Sequence, residues 1–277
     1  METVLLDGTD LRLSRVAFGT GSLHRVFSAA HRRRLLAAAV EQGVTHFDTA
    51  PFYGYGLAEA DLGAFLRGRR DRLTVATKVG LYPPLGAIPW LPGVWMAKAA
   101  GKVVRSWSRP RVDWRVSMAE RSLDESLRRL RTDYVDLLLL HEPDLEATDT
   151  EAFLAWLGRE RERGRVRYWG LAGEPERIVP WLESDQHLAL VLQTRDSLHD
   201  REGDQILRYR QSLQLTYGYI RAARRQGDSR PAAEILGAAL RRNATGVVVT
   251  SASSELHLHE LLGRLPGSTG WWCASST

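Results

Sequence analysis

Tyr134-Val135-Asp136-Leu137-Leu138-Leu139-Leu140-His141 decides how this chain is read. The run Tyr134–Leu140 is short and apolar, the mark of a buried strand, and it ends on a histidine. Immediately upstream, Ser117–Arg131 sets Met118, Leu123, Leu127 and Leu130 near one stripe with charge elsewhere, which predicts a helix. Downstream, Asp149 or Thr150 caps a further helical run that ends near Gly164, and Val166–Gly170 follows as the next apolar strand. Strand, helix, strand is the unit that parallel strands require, because their ends can be joined only by a crossover.

The same alternation extends in both directions. Strand candidates fall at Val16–Phe18, Thr45–Phe47, Leu73–Thr77, Leu188–Leu192, Leu213–Thr216 and Val247–Val249, making eight with the two above. Between them, Ser28 caps Ala29–Gln42 before Gly43, and Leu57–Arg67 stops at Gly68. Pro175 and Pro231 stand where helices begin, and a last helix runs from Ser253 or Ser254 to Leu262. Ahead of all this, Val4–Leu6 and Leu11–Leu13 flank Asp7-Gly8-Thr9-Asp10 as a hairpin. The expected fold is α/β, a (β/α)8 TIM barrel with an N-terminal β-hairpin, forming a single domain over residues 1–277. One segment breaks the rhythm: an inserted loop over 80–115, rich in Pro, Gly and Trp and basic in its second half. A lid or substrate wall is the expected role of such a long loop at a barrel rim, with a subunit contact through its tryptophans as the alternative. Trp271-Trp272 near the C-terminus is a further candidate for the barrel mouth.

Composition narrows the class. The charged fraction of 26% and formal charge of +5 come with arginine clusters at 32–34, 159–167 and 221–230, mixed with glutamate and not interleaved with aromatics. That pattern reads as solvated helix surface, not a nucleic-acid interface. No apolar stretch approaches the roughly 20 residues of a membrane span, and Met1-Glu2-Thr3-Val4 lacks a signal-peptide pattern. A lone cysteine, Cys273, leaves no internal disulfide and no cysteine-built metal site, so a cytoplasmic location is expected.

In such a barrel, chemistry gathers where strands end. The residues just past the strand candidates are Gly19-Thr20, Asp48, Lys78, His141, Gln193, Tyr217 and Thr250-Ser251, and Tyr53 follows Asp48 in a glycine-flanked loop able to swing over the mouth. Asp48, Tyr53, Lys78 and His141 suit carbonyl reduction. A hydride arriving at a carbonyl carbon leaves an alkoxide that needs a proton, and a tyrosine can give it. A lysine ammonium beside the phenol favours the phenolate, an aspartate holds the lysine, and a histidine orients the carbonyl oxygen. A plain buried ion pair between Asp48 and Lys78 is the alternative. His141 with Glu142 and Asp144 lacks the second histidine at helical spacing that a metal site needs, and no metal is expected.

Four motifs in order resemble the aldo-keto reductase family: Phe47-Asp48-Thr49-Ala50-Pro51-Phe52-Tyr53-Gly54 with Glu59 and Leu62-Gly63; Ala76-Thr77-Lys78-Val79-Gly80; Ser122–Leu127 leading through Asp133–Asp136 to His141-Glu142-Pro143-Asp144; and Gly164–Gly170. The resemblance implies an oxidoreductase moving a hydride between NADP(H), or NAD(H), and a small aldehyde, ketone or sugar alcohol. Tyr53 would be the acid/base, Asp48 and Lys78 its tuners, and His141 the substrate orienter. It further implies cofactor contacts from Gly19 and Thr20, from Gln193 to the nicotinamide amide, from Tyr217 stacking on the ring with Gly218 beside it, and from Ser251, Ser253 and Ser254 near the adenosine phosphate. The chain departs from the pattern at Ala172-Gly173, where relatives carry Ser-Asn, at Ser254, where an arginine is common, and at His257 and Leu261 on the adenine side. Those departures motivate a second reading, a nucleotide-sensing or partner-binding protein on the same barrel. Asp113-Trp114 resembles the sugar-oxidising branch.

Overall fold

The computed structural model describes residues 1–88, 90–103, 109–184 and 187–263. Pro89, Trp107, Trp271-Trp272 and Cys273 lie outside the described residues. Strands β1 (Thr3–Leu5) and β2 (Arg12–Ser14) form the expected antiparallel hairpin, Thr3 opposite Ser14. The barrel strands are β3 (Val16–Gly19), β4 (His46–Asp48), β5 (Thr74–Val79), β8 (Val135–His141), β9 (Val166–Gly173), β10 (Val191–Arg195), β11 (Leu215–Tyr217) and β12 (Val247–Thr250). All pair in parallel and β12 closes on β3, with Val248 opposite Val16, so the sheet is a closed eight-stranded barrel.

The two-residue period of each strand sorts side chains to two cores. Outward residues such as Phe18, Phe47, Val75, Leu138, Leu140, Leu171, Leu192 and Val248 pack under the helices. Inward residues Ala17, Ala76, Leu137, Leu139, Ala172, Val191, Leu215, Val247 and Val249 fill the barrel together with Leu6, Leu11 and Leu13 of the hairpin, which floors it. One step further along the inward register come Asp48, Lys78, His141, Gln193 and Tyr217. Strand parity therefore delivers the polar set to one layer at the C-terminal face.

Helices cover the barrel: α1 (Ala29–Glu41), α2 (Leu57–Leu66), α4 (Val116–Leu130), α5 (Thr150–Glu162), α6 (Pro175–Glu183), the four-residue α7 (Asp204–Leu207), α8 (Tyr219–Arg225), α9 (Ala232–Arg242) and α10 (Glu255–Leu262). Ser28, Asp149 and Ser254 each cap a helix by accepting a backbone N–H, from Ala30, Ala152 and His257. At the N-terminal end, Arg15 stitches the two ends of the ring. Its guanidinium donates to the carbonyls of Leu240, Asn243 and Gly246, across 225 to 231 residues of sequence.

The 80–115 segment is not a plain loop. It holds the helix α3 (Leu91–Val103) between two short strands, β6 (Leu81–Tyr82) and β7 (Arg111–Val112), paired antiparallel. Gly80, at φ +105°, turns the chain beneath Trp114; a Cβ there would sit 2.2 Å from the indole ring. Asp113 ties the base together through Arg111 and Arg115. The inner face of α3, Leu91, Val94 and Ala97, packs on Tyr55 and Leu57. Trp95 donates its indole N–H to the His24 carbonyl at 3.1 Å, and Lys98 Nζ meets His24 Nε2 at 2.7 Å. The insertion thus buttresses the two segments that flank Tyr53.

Candidate active site

A cavity of about 740 Å³ opens at the C-terminal face, floored by Asp48, Tyr53, Lys78, His141 and Gln193. Lys78 Nζ donates to Asp48 Oδ1 at 2.5 Å and to the Thr49 carbonyl at 3.0 Å, and stands 3.4 Å from the Tyr53 hydroxyl. Gln193 donates to the same Asp48 oxygen at 2.9 Å. Lys78 is 2% exposed and Asp48 4%, so neither charge is shared with bulk water. The Tyr53 and His141 rings meet edge-on, centroids 6.0 Å apart. Tyr53 begins a one-turn 3-10 segment, Tyr53–Gly56, whose Gly54, Tyr55 and Gly56 all take left-handed backbone angles. That compact turn, pinned by α3, replaces the mobile loop expected from the sequence.

Behind the floor, buried Glu59 accepts from Thr77 at 2.7 Å and from Arg129 at 2.7 Å, clamping α2 to β5 and α4. It fixes the segment that delivers Tyr53. The electrostatics differ from the simplest expectation. The Tyr53 phenol is pushed well above its ordinary pKa, first by burial and then by the Asp48 and Glu142 carboxylates, so burial overrides the ammonium and holds it as the protonated acid. Burial, then Lys78, pushes His141 well below the usual histidine value, so the ring is neutral, with Nδ1 buried and without a hydrogen-bond partner.

The remaining predicted residues divide. Gly19, Gln193, Tyr217, Gly218 and Ser251 line the cavity, as do Ala172 and Gly173. Thr20 does not: it is fully buried and donates its hydroxyl to the Asp48 carbonyl at 3.0 Å, steadying the aspartate from below. Ser253 and Ser254 line a separate cavity of about 290 Å³ with His31 and Arg34. Leu261 is in the hydrophobic core, and His259 turns to Gln42 just past the C-terminus of α1. Among the described residues, nothing between 80 and 115 lines the main cavity. Glu174, Arg25 and Arg221 were not singled out from the sequence, and Glu142 only in the rejected metal reading, yet all four line it. Glu142 was within reach, since it directly follows a strand-end histidine. Among the described residues no three metal-binding side chains gather, and no helix is long and apolar enough to cross a membrane.

A sequence model of the Aldo/keto reductase family matches residues 15–212. The chain is 36% identical to D-threo-aldose 1-dehydrogenase of a Pseudomonas species over 56% of this chain and 47% of that protein. It is 29% identical to L-galactose dehydrogenase of Arabidopsis thaliana over 66% of this chain and 51% of that one. The matches thus span about half the length of these curated relatives. In structure it resembles an aldo-keto reductase from Bacillus halodurans in its holo form, with a TM-score of 0.74 at 22% identity over 95% of this chain and 90% of the other. A glycerol dehydrogenase from Gluconobacter oxydans gives 0.70 at 21% identity over 97% and 90%.

Proposed function

This chain belongs to the aldo/keto reductase family, and on that footing we propose that it is a nicotinamide-dependent oxidoreductase, acting as one barrel domain on a small carbonyl or alcohol. The observation that carries the reading is the Asp48–Lys78–Tyr53 chain of contacts on the floor of a substrate-sized cavity. The cavity also fits the nicotinamide end of a dinucleotide. It offers an amide at Gln193, an aromatic face at Tyr217, and glycines at 19 and 218 that let backbone approach. When bound, the nicotinamide supplies or accepts the hydride.

The protein's own residues do the rest. His141, held neutral, donates a hydrogen bond to the carbonyl oxygen and fixes its direction. Tyr53, kept protonated by burial, gives its proton to the forming alkoxide, and Lys78 stabilises the phenolate left behind. Asp48 keeps Lys78 charged and in place, while Gln193 and Thr20 keep Asp48 in place. Ser251, Ser253 and Ser254 serve the adenosine-phosphate side, the last two from the neighbouring cavity, whose cation is Arg34, ion-paired with Glu255 at 3.0 Å and released to a phosphate on this reading. NADP(H) is the cofactor favoured by that arginine, with NAD(H) the alternative. The names of the relatives, sugar dehydrogenases among them, support a hydroxylated substrate.

Titration with NADPH and with NADH, followed by fluorescence, and then a panel of aldehydes and aldoses tests the reading. Binding with turnover is expected. Binding without turnover on any carbonyl would shift the protein to nucleotide sensing, the function that the missing Ser-Asn pair favours. No binding would overturn both.

A further inference from the structure

Glu142 follows directly on β8, in a strained turn. It is one of four non-glycine residues with a left-handed backbone among the described residues, at φ +53°, a strained conformation that clusters at functional turns. The turn brings its carboxylate into the cavity beside Tyr53, Lys78 and His141. Oε2 accepts the backbone N–H of Glu174 at 3.2 Å. The carboxylate has room because residue 173 is glycine: a Cβ there would stand 2.8 Å from Oε2. Gly173 is not needed for its backbone angle, so its role is to leave this space.

Burial, with the Glu174 and Glu176 charges adding to it, raises the Glu142 carboxyl above its ordinary pKa, and Arg177 and the Glu174 N–H only partly offset this. Arg25 and Arg221 line the same cavity, yet among the described residues no lysine, arginine or histidine forms an ion pair with Glu142. Arg195 is committed to Glu174 and Glu202 at 3.2 and 3.3 Å, and Arg177 to Asp144 at 3.3 Å. Burial is the main reason the phenols of Tyr53 and Tyr217 are raised, and Glu142 adds to both. Glu142 lines the same cavity as the acid/base Tyr53 and the aromatic wall Tyr217, where a substrate has to lie. An ionised carboxylate only accepts hydrogen bonds, at about four lone-pair sites, and one of these is taken by Glu174 N–H.

We propose that Glu142 is a substrate-selecting group, accepting hydrogen bonds from the hydroxyls of a neutral, hydroxylated carbonyl substrate and turning away substrates that carry a carboxylate of their own. This rests on the oxidoreductase reading above and names its substrate class. Attraction and repulsion come from the same oxygens. A ligand hydroxyl satisfies them, whereas a ligand carboxylate meets like charge in a pocket that screens it less than water does.

Three four-carbon aldehydes separate the effects: butanal, erythrose and succinate semialdehyde. The native protein is expected to prefer erythrose, then butanal, then succinate semialdehyde in kcat/KM. Glu142→Gln keeps size and shape, and its amide oxygen can still accept from Glu174. It is expected to raise succinate semialdehyde relative to butanal by about 10- to 100-fold, the scale of one removed like charge, and to lower the advantage of erythrose severalfold. Glu142→Asp, which retains the charge, keeps the anion excluded. Calorimetry with the unreactive analogues erythritol and succinate, in the presence of NADP+, carries the same test without turnover. Erythritol bound, succinate refused and the gap narrowed in Glu142→Gln uphold the assignment even if no aldehyde is reduced, a result that would sink only the enzymatic reading. Unchanged preference in the variant, or no binding of erythritol to the native protein, overturns the assignment.

Discussion

The floor of the cavity and its rim on the β11–β12 side are built in opposite ways. On the floor, Asp48, Lys78, Gln193 and Tyr53 form one connected set of side-chain contacts, nearly all buried, and Thr20 beneath them donates to the Asp48 main-chain carbonyl. On the rim, Ser251, Ser253 and Ser254 are exposed, and the hydrogen bond recorded for Ser254 caps its own helix. The family match covers the floor residues and stops at 212, before this rim begins. Groups that must hold charge in a dry place have to be interlocked, because each unpaired member is costly. Groups that meet a ligand's phosphates at a surface are interchangeable with other donors, so the proposed cofactor side is free to differ from the family pattern where the floor is not.

Breaking the floor should have the largest effects. Tyr53→Phe is expected to lower kcat by about 10²- to 10⁴-fold, the range for loss of a general acid, with nucleotide affinity unchanged by fluorescence titration. Retained turnover would remove Tyr53 from the mechanism. Lys78→Met leaves Asp48 charged and buried without its ammonium, and denaturant unfolding should show a loss of about 3–5 kcal/mol. Adding Asp48→Asn should restore much of it. A loss below 1 kcal/mol in the single variant would mean that water reaches the pair. Gly173→Ala drives a methyl into the Glu142 carboxylate and is expected to cost about 1–3 kcal/mol, as overpacking does.

The rim should respond less. Ser254→Ala removes a helix cap and should cost about 1 kcal/mol, read as a fall in Tm. The smallest effect expected is that of pH. Reduction needs Tyr53 protonated and His141 neutral. Tyr53 is raised above its ordinary value of 10.0 and His141 lowered below 6.5, so neither group changes state between those limits. Reduction should therefore show no inflection from either group in that window, and a step near neutrality abolished by His141→Gln would show the histidine to be far less buried than the structure has it.

Much of this was legible in the sequence, for a physical reason. Each barrel strand is a short apolar run between capped or glycine-stopped helices, so Val16–Phe18 and Val247–Val249 are found within a residue or two of β3 and β12. Asp48, Lys78 and His141 follow because strand ends are where inward parity meets solvent. The insertion was read as a loop because α3 is apolar on both faces. Leu91, Val94 and Ala97 point in, while Trp95 and Met96 are exposed, and no stripe marks a helix. Its two strands are only two residues long and pair across nearly the whole insertion. Glu142 stands in the sequence only as a neighbour of His141 in a rejected metal reading, because its place in the cavity depends on a left-handed turn and on a glycine in another strand, neither of which local pattern records.

Arg15 has a consequence for how the chain comes to be this shape. The bonds it makes to Leu240, Asn243 and Gly246, together with the β3–β12 pairing, span more than 220 residues. A ribosome delivers the first partner long before the last, so through most of synthesis β3 offers an unpaired edge to other chains. High contact order of this kind slows folding, and ring closure is the step that retires both edges at once. Arg15 is then a latch that can be thrown only when the final strand has emerged, and a nascent chain stalled before Val247 would carry an open sheet for chaperones to guard.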